Sequence, residues 1–198
     1  MDLLAELGAE LPVLAAPMAG GPTSAALVVA AAEAGSVGFL AAGYKTPEAL
    51  ASEVGAVRAR TPRYGVNLFV PAPLPVDPDA YRTYREELLP LADHYGVEVP
   101  RTPVEDDDSW AAKVDLLVSA APPVVSFTFG LPDRATVRRL RRSGSVLAQT
   151  VTSPEEARLA VEAGVDVLVV QGPAAGGHSG TFTPQQLPAD VMLPELVR

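Results

Sequence analysis

The stretch QGPAAGGHSG, residues 171–180, follows the apolar run VDVLVV and holds one of the chain's two histidines. Imidazole is the side chain most readily poised to give or take a proton near neutral pH. Gly176, Gly177 and Gly180 would let backbone approach a ligand closely. His178 is therefore the first candidate for catalysis or ligand contact, set against a surface histidine bonded to a backbone carbonyl. Spacing alone leaves both readings standing. Asn67, in YGVNLFV, and Gln171 are candidate binding residues. A primary amide presents a donor and an acceptor together, which suits the imide edge of a ring or a nitro group. A satisfied polar residue at a strand end is the plainer alternative. His94, in ADHYGVE, reads as structural. The chain has no cysteine, which excludes disulfides, thiolate nucleophiles and cysteine-bound metals. No histidine or carboxylate cluster has metal-ligand spacing.

The elements that must position these residues alternate. Continuous apolar runs predict strands over 11–18, 36–42, 64–70, 122–130, 145–151 and 165–172. Between them, capped segments predict helices over 23–35, 47–60, 133–144 and 153–164. Thr23 or Ser24 caps the first, and Thr46 caps the second with Pro47 at its first position. The rhythm breaks over 71–121, where prolines and acids suggest an excursion with helices near 78–95 and 108–119 rather than a separate domain. The acids Glu105 to Asp108 read as a solvated run. LPELVR at the end resembles the start of another helix.

Apolar strands alternating with helices imply a parallel sheet covered by helices. The first-choice architecture is a (β/α)8 TIM barrel, incomplete here, with about six of its eight βα units and hence a chain short of the roughly 250 residues of a full barrel. A doubly wound open sheet comes second, because no GxGxxG follows the first strand. In either fold, function belongs to the C-terminal strand ends. These are Ala16 to Gly21, Ala42 to Thr46, Asn67 with Phe69, Ser126 to Gly130, Gln149 to Thr152, and Gln171 to Gly180.

Composition limits the partners. With 198 residues, 48% of them hydrophobic, the chain can bury a sizeable core. A net charge of −9 argues against nucleic acid, and Arg138, Arg139, Arg141 and Arg142 read as a solvated helix face. No apolar run reaches the length of a membrane helix, and the acidic N-terminus is unlike a signal peptide. A soluble, cytoplasmic protein without nucleic-acid or membrane partners is expected, with homo-oligomerisation left open.

Several stretches in order, LAAPMAGGPTSAALVVAAAEAGSVGFLAAGYKTPE, YGVNLFVP, PPVVSFTFGLP and LAQTVTSPEEARLAVEAGVDVLVVQGPAAGGHSGTF, together resemble the nitronate monooxygenases, formerly 2-nitropropane dioxygenases. The resemblance spans essentially the whole chain. It implies an FMN-dependent TIM barrel that oxidises alkyl nitronates or nitroalkanes with dioxygen to carbonyl compounds and nitrite. Residues 1–198 would then be the N-terminal portion of a single FMN-binding barrel domain, with its excursion at 71–121. By the same resemblance, Ala16, Pro17 and Met18 would lie along the flavin. Asn67, Gln171, Gly176 and Gly177 would join them in binding FMN, and His178 would be the catalytic base or the group that holds the nitro oxygens. The glutamate usual before AGGH is Ala174 here, and the arginine usual after the histidine is Ser179. Both departures bear on substrate preference. The family holds the cofactor phosphate on loops after strands seven and eight, so weak FMN binding is expected of this chain alone. The competing readings are a flavin-dependent enoyl-acyl-carrier-protein reductase-like enzyme and a truncated, inactive fragment.

Overall fold

Each long apolar run becomes a strand, and each capped segment a helix. The structure, a computed structural model, describes residues 3–71, 76–185 and 191–197. Residues 72–75 of the expected excursion and the final Arg198 lie outside the described residues. A short helix, α1 (Leu3–Glu6), precedes β1 (Leu14–Ala15). There follow α2 (Ala25–Glu33), β2 (Val37–Ala41), α3 (Pro47–Arg58), β3 (Tyr64–Phe69), α4 (Pro78–Tyr95), α5 (Trp110–Ala120) and β4 (Val124–Thr128). The chain continues through α6 (Arg134–Arg142), β5 (Val146–Val151), α7 (Pro154–Ala163), β6 (Val167–Val170) and α8 (Leu193–Leu196).

The helix starts obey their side chains. Ser24, rather than Thr23, caps α2 by accepting from the Leu27 amide, and Thr46 caps α3 with Pro47 next to it. Asp133 and Ser153 cap α6 and α7 in the same way. The first strand is shorter than its apolar run, pairing only Leu14 with Val37 and Ala15 with Gly38. Pro12 and Pro17 flank those residues and have no amide hydrogen to add to the ladder.

All neighbouring strands are parallel, and their order in the sheet is their order in the sequence, β1 to β6. A doubly wound sheet would reverse its order at a switch point. Sequential order is that of a β/α barrel, so the architecture is an incomplete (β/α)8 barrel of six units.

Alternation along the strands divides the sheet faces. Leu40, Val66, Leu68, Val125, Phe127 and Leu147 face the helices and pack with Val28, Leu50, Val54, Leu117, Val137 and Leu140. On the inner face, Val37, Phe39, Val124 and Ala148 form a second cluster, closed by Leu3, Leu7 and Ala9 from the N-terminal segment. Because Val37 and Val124 begin their strands, this cluster fills the N-terminal end of the barrel interior. Two aromatic rings there and above stand where a neighbour has no side chain. A Cβ on Gly65 would lie 2.2 Å from the Phe39 ring, and one on Gly43 would lie 2.2 Å from the Phe69 ring.

The chain up to Pro71 and from Asp108 onward forms this unit, and the intervening segment forms a smaller one. Helix α5, expected in the excursion, thus belongs to the barrel unit, where Val114 and Leu117 join the core. In the smaller unit, Asp77 caps α4, and Gly96 ends it in the left-handed conformation at φ +65°. Tyr81 and Arg85 donate to the carbonyls of Val99 and Pro100, tying the returning chain to the helix.

The cap of α6 yields a pH prediction. The Thr136 amide, foremost among its partners, holds the Asp133 carboxyl below the ordinary aspartate range. A depressed folded-state value contributes stability above the unfolded aspartate value of about 3.9, and the contribution disappears as pH falls through the lower folded value. Urea unfolding of Asp133→Ala is expected to show a loss of about 1 kcal/mol at pH 7. The difference from wild type should shrink below about pH 4.

Candidate active site

A cavity of about 800 Å³ opens at the C-terminal ends of the strands. Every site residue that the family resemblance implies lines it: Ala16, Pro17 and Met18 after β1, Asn67 on β3, and Gln171, Gly176, Gly177 and His178 after β6. Parallel strands bring these segments to one rim although they are far apart in sequence.

The segment after β1 is pinned by Thr23. Its Oγ1 accepts from the Met18 amide at 2.8 Å and donates to the Ala16 carbonyl at 3.5 Å. Its own amide returns a bond to the Met18 carbonyl. A residue that could have capped α2 is instead buried under the loop, and fixes the backbone that faces the cavity.

Asn67 is only 3% exposed. Its Nδ2 donates to Ser126 Oγ at 3.0 Å and to Thr128 Oγ1 at 3.1 Å, both on β4, and Thr128 in turn meets Thr150 on β5. The donor end of this amide is therefore occupied within the protein. Only the acceptor, Oδ1, is left for a ligand, which narrows the two-sided pairing that an amide could offer.

Gln171 is committed further. Its Nε2 donates to the His178 carbonyl at 3.1 Å, and its Oε1 accepts from the Gly180 amide at 2.6 Å. The side chain thus staples the glycine-rich loop back to the end of its own strand. Gly180 must be small for the same reason: a Cβ there would lie 2.8 Å from Thr150 Cγ2. Gly177 takes the left-handed backbone at φ +85°, and Gly176 has open space around it. At the first of these anchor points, the His178 side chain is exposed to the cavity. Its imidazole meets the Phe129 ring edge to face at 6.3 Å, and no described residue bonds its ring nitrogens.

Beyond the loop stands a group the sequence reading passed over. Glu156 on α7 is 4% exposed. One carboxylate oxygen accepts from the Thr152 amide and hydroxyl, and the other from the Thr181 hydroxyl and the Phe182 amide. One carboxylate thereby joins the loops after β5 and β6. Asp108, expected among solvated acids, is likewise engaged. Its Oδ1 accepts from Lys113 Nζ at 2.6 Å and from the Tyr44 amide at 3.0 Å. The signal available in the sequence was a charge on a buried stripe: Lys113 lies beside Val114 and one turn before Leu117, and Glu156 one turn before Ala160. Gln149 turns the other way from the cavity and donates to the Gly130 carbonyl, steadying the loop after β4.

Among the described residues, none lining the cavity is lysine or arginine. Among the described residues, no group of three or more histidine, aspartate or glutamate side chains could hold a metal ion. No described helix is long and apolar enough to cross a membrane.

Comparison with known proteins shows the family. Residues 2–197 match the family described as nitronate monooxygenase. The chain is 36% identical over 188 residues to a probable nitronate monooxygenase of Bacillus subtilis (strain 168), covering 94% of this chain and 53% of that protein. A probable nitronate monooxygenase of Staphylococcus aureus (strain MRSA252) is 33% identical over 89% of this chain and 50% of its own length. Among solved structures, a nitroalkane oxidase from Streptomyces ansochromogenes superposes with a TM-score of 0.84 at 43% identity, covering 91% of this chain and 51% of that one. FabK from Thermotoga maritima superposes with a TM-score of 0.64 at 26% identity, over 90% and 45%. The chain spans about half the length of the curated relatives it matches.

Removing the Glu156 carboxylate would strand the buried amide of Thr152 and the partly buried one of Phe182. Glu156→Ala is expected to lower stability by roughly 2–4 kcal/mol in denaturant unfolding. Amide exchange at Phe182 should rise with it, and an unchanged exchange rate there would contradict the clamp.

Proposed function

Because the chain belongs to the nitronate monooxygenase family, we propose that its cavity receives the ring system of FMN and that the protein oxidises alkyl nitronates or nitroalkanes with dioxygen to carbonyl compounds and nitrite. The observation that carries this reading is convergence. Backbone from the end of β1, an amide acceptor on β3 and a histidine after β6 share one cavity. Its volume lies in the range of small-molecule sites.

The residues present fit the ring part of a flavin. The fixed Ala16 to Met18 backbone offers a flat edge, Asn67 Oδ1 offers an acceptor for a ring N–H, and Gly176 and Gly177 leave room for close approach. They fit the phosphate less well, since no lysine or arginine lines the cavity among the described residues. We therefore assign the ring-binding half of the cofactor site to this chain. When bound, FMN supplies the electron-accepting and oxygen-reducing chemistry, which no protein side chain provides.

The protein's own contribution is placement and proton handling. His178, whose ring nitrogens have no partner among the described residues, takes the proton from the carbon bearing the nitro group when the neutral nitroalkane is the substrate. In its protonated form, it holds a nitro oxygen of the anionic nitronate. Gln171 keeps that imidazole at the rim by fixing the backbone on either side of Ser179. The family match and the likeness to the nitroalkane oxidase support this chemistry over enoyl reduction. A cytoplasmic location is part of the same proposal.

The test is nitrite release and oxygen uptake with ethyl nitronate and propionate 3-nitronate, alongside the flavin absorbance of the protein. His178→Ala is expected to lower kcat/KM by about 10²-fold or more while flavin content stays the same. A flavin-loaded protein that leaves nitronates untouched would sink the proposal.

A further inference from the structure

Three aromatic rings stand in a row on the cavity wall and end at the histidine. Tyr44, following β2, meets Phe69 of β3 edge to face with centroids 5.6 Å apart. Phe69 meets Phe129 at 4.8 Å, and Phe129 meets the imidazole of His178 at 6.3 Å. All three aromatic residues line the cavity. Phe69 can stand there because Gly43 has no side chain to collide with it.

The two ends of the row hold backbone conformations that residues with a Cβ avoid. Tyr44 has φ +64°, and Phe129 has φ +71°. Such strain persists only where surrounding structure enforces it, and it gathers at ligand sites. Tyr44 gains little burial in return, since it is 76% exposed. What enforces its position is the Asp108 carboxylate on its amide, itself held by Lys113. That lysine is 1% exposed and also donates to the Ala42 carbonyl at 3.0 Å. A buried ammonium and its carboxylate thus hold an exposed ring in an unfavourable conformation. Folding alone gives no reason for that arrangement, whereas a ligand lying against the ring does.

We propose that the Tyr44, Phe69 and Phe129 row is the subsite for the carbon substituent of the substrate, so that the site prefers nitronates bearing an aromatic or similarly flat apolar group. With the anion at His178, such a substituent meets Phe129 first and Tyr44 at its outer end. Ring pairs add to plain burial, which gives an aromatic group an advantage over an alkyl chain of the same reach. The inference rests on the nitronate reading of the cavity.

Carboxylates imitate the planar, two-oxygen nitronate and need no turnover, so binding can be measured directly. Ligand-observed NMR titration of the protein with propionate and 3-phenylpropionate compares anions that differ by one phenyl group. The aromatic anion is expected to bind about five-fold more tightly. Tyr44→Phe, which keeps the ring, should preserve the ratio. Tyr44→Ala should bring it towards unity with propionate affinity unchanged. Equal affinities in wild type, a preference undiminished in Tyr44→Ala, or a preference lost already in Tyr44→Phe would each overturn the subsite. His178→Ala separates the two levels of the argument. Equal affinities that vanish in His178→Ala overturn the subsite alone, while absence of binding by either anion overturns the nitronate reading with it.

Discussion

Every strand of the sheet runs in the same direction and lies beside its sequence neighbours, and the rest of the structure depends on that constraint. It sends all the C-terminal strand ends to one rim. Residues separated by more than a hundred positions then share a cavity. It also settles the division of labour between faces. The outer face must be apolar to receive helices, as Leu40, Val66, Phe127 and Leu147 show. Towards the rim, the inner face is free to carry polar groups such as Asn67, Ser126, Thr128 and Thr150, provided they satisfy one another.

Rim loops lack the repeating hydrogen bonds of the elements they join, so their amides need other partners. Here, the partners are single side chains, most of them buried. Thr23 receives the loop after β1, and Glu156 joins the loops after β5 and β6. Lys113 acts through Asp108 on the loop after β2, while Gln171 holds the glycine-rich segment. A buried charge or hydroxyl is costly when unpaired. Each of these groups therefore favours one loop conformation over the many open to a chain rich in glycine and proline.

Much of this was legible in the sequence, because the strands are unbroken apolar runs and the helices carry their caps. Ser24, Thr46, Asp133 and Ser153 all act as caps in the structure. The strand ends marked the segments, the family resemblance singled out residues within them, and all of those residues line the cavity. What sequence could not supply was which polar atoms remain free. Asn67 and Gln171 look alike as amides at strand ends. Yet one keeps an acceptor towards the cavity, while the other uses both ends on its own loop. The engagement of Asp108 was hidden for a similar reason, since its partner Lys113 lies in a different element. The shortness of β1 follows from its two prolines, whose cost depends on a pairing partner that periodicity does not reveal.

The rings of Phe39 and Phe69 occupy space that Gly65 and Gly43 leave vacant across the strand pair. Each pair shares one allotment of volume, and neither member has room to grow unless the other shrinks. Over evolutionary time, such positions are bound to drift as couples. A descendant with alanine at 65 should carry a smaller residue at 39, and one that lost the ring at 69 would be released from glycine at 43. The second couple reaches the cavity wall. A change in what the site accepts could therefore leave its mark first on a glycine with no ligand contact of its own.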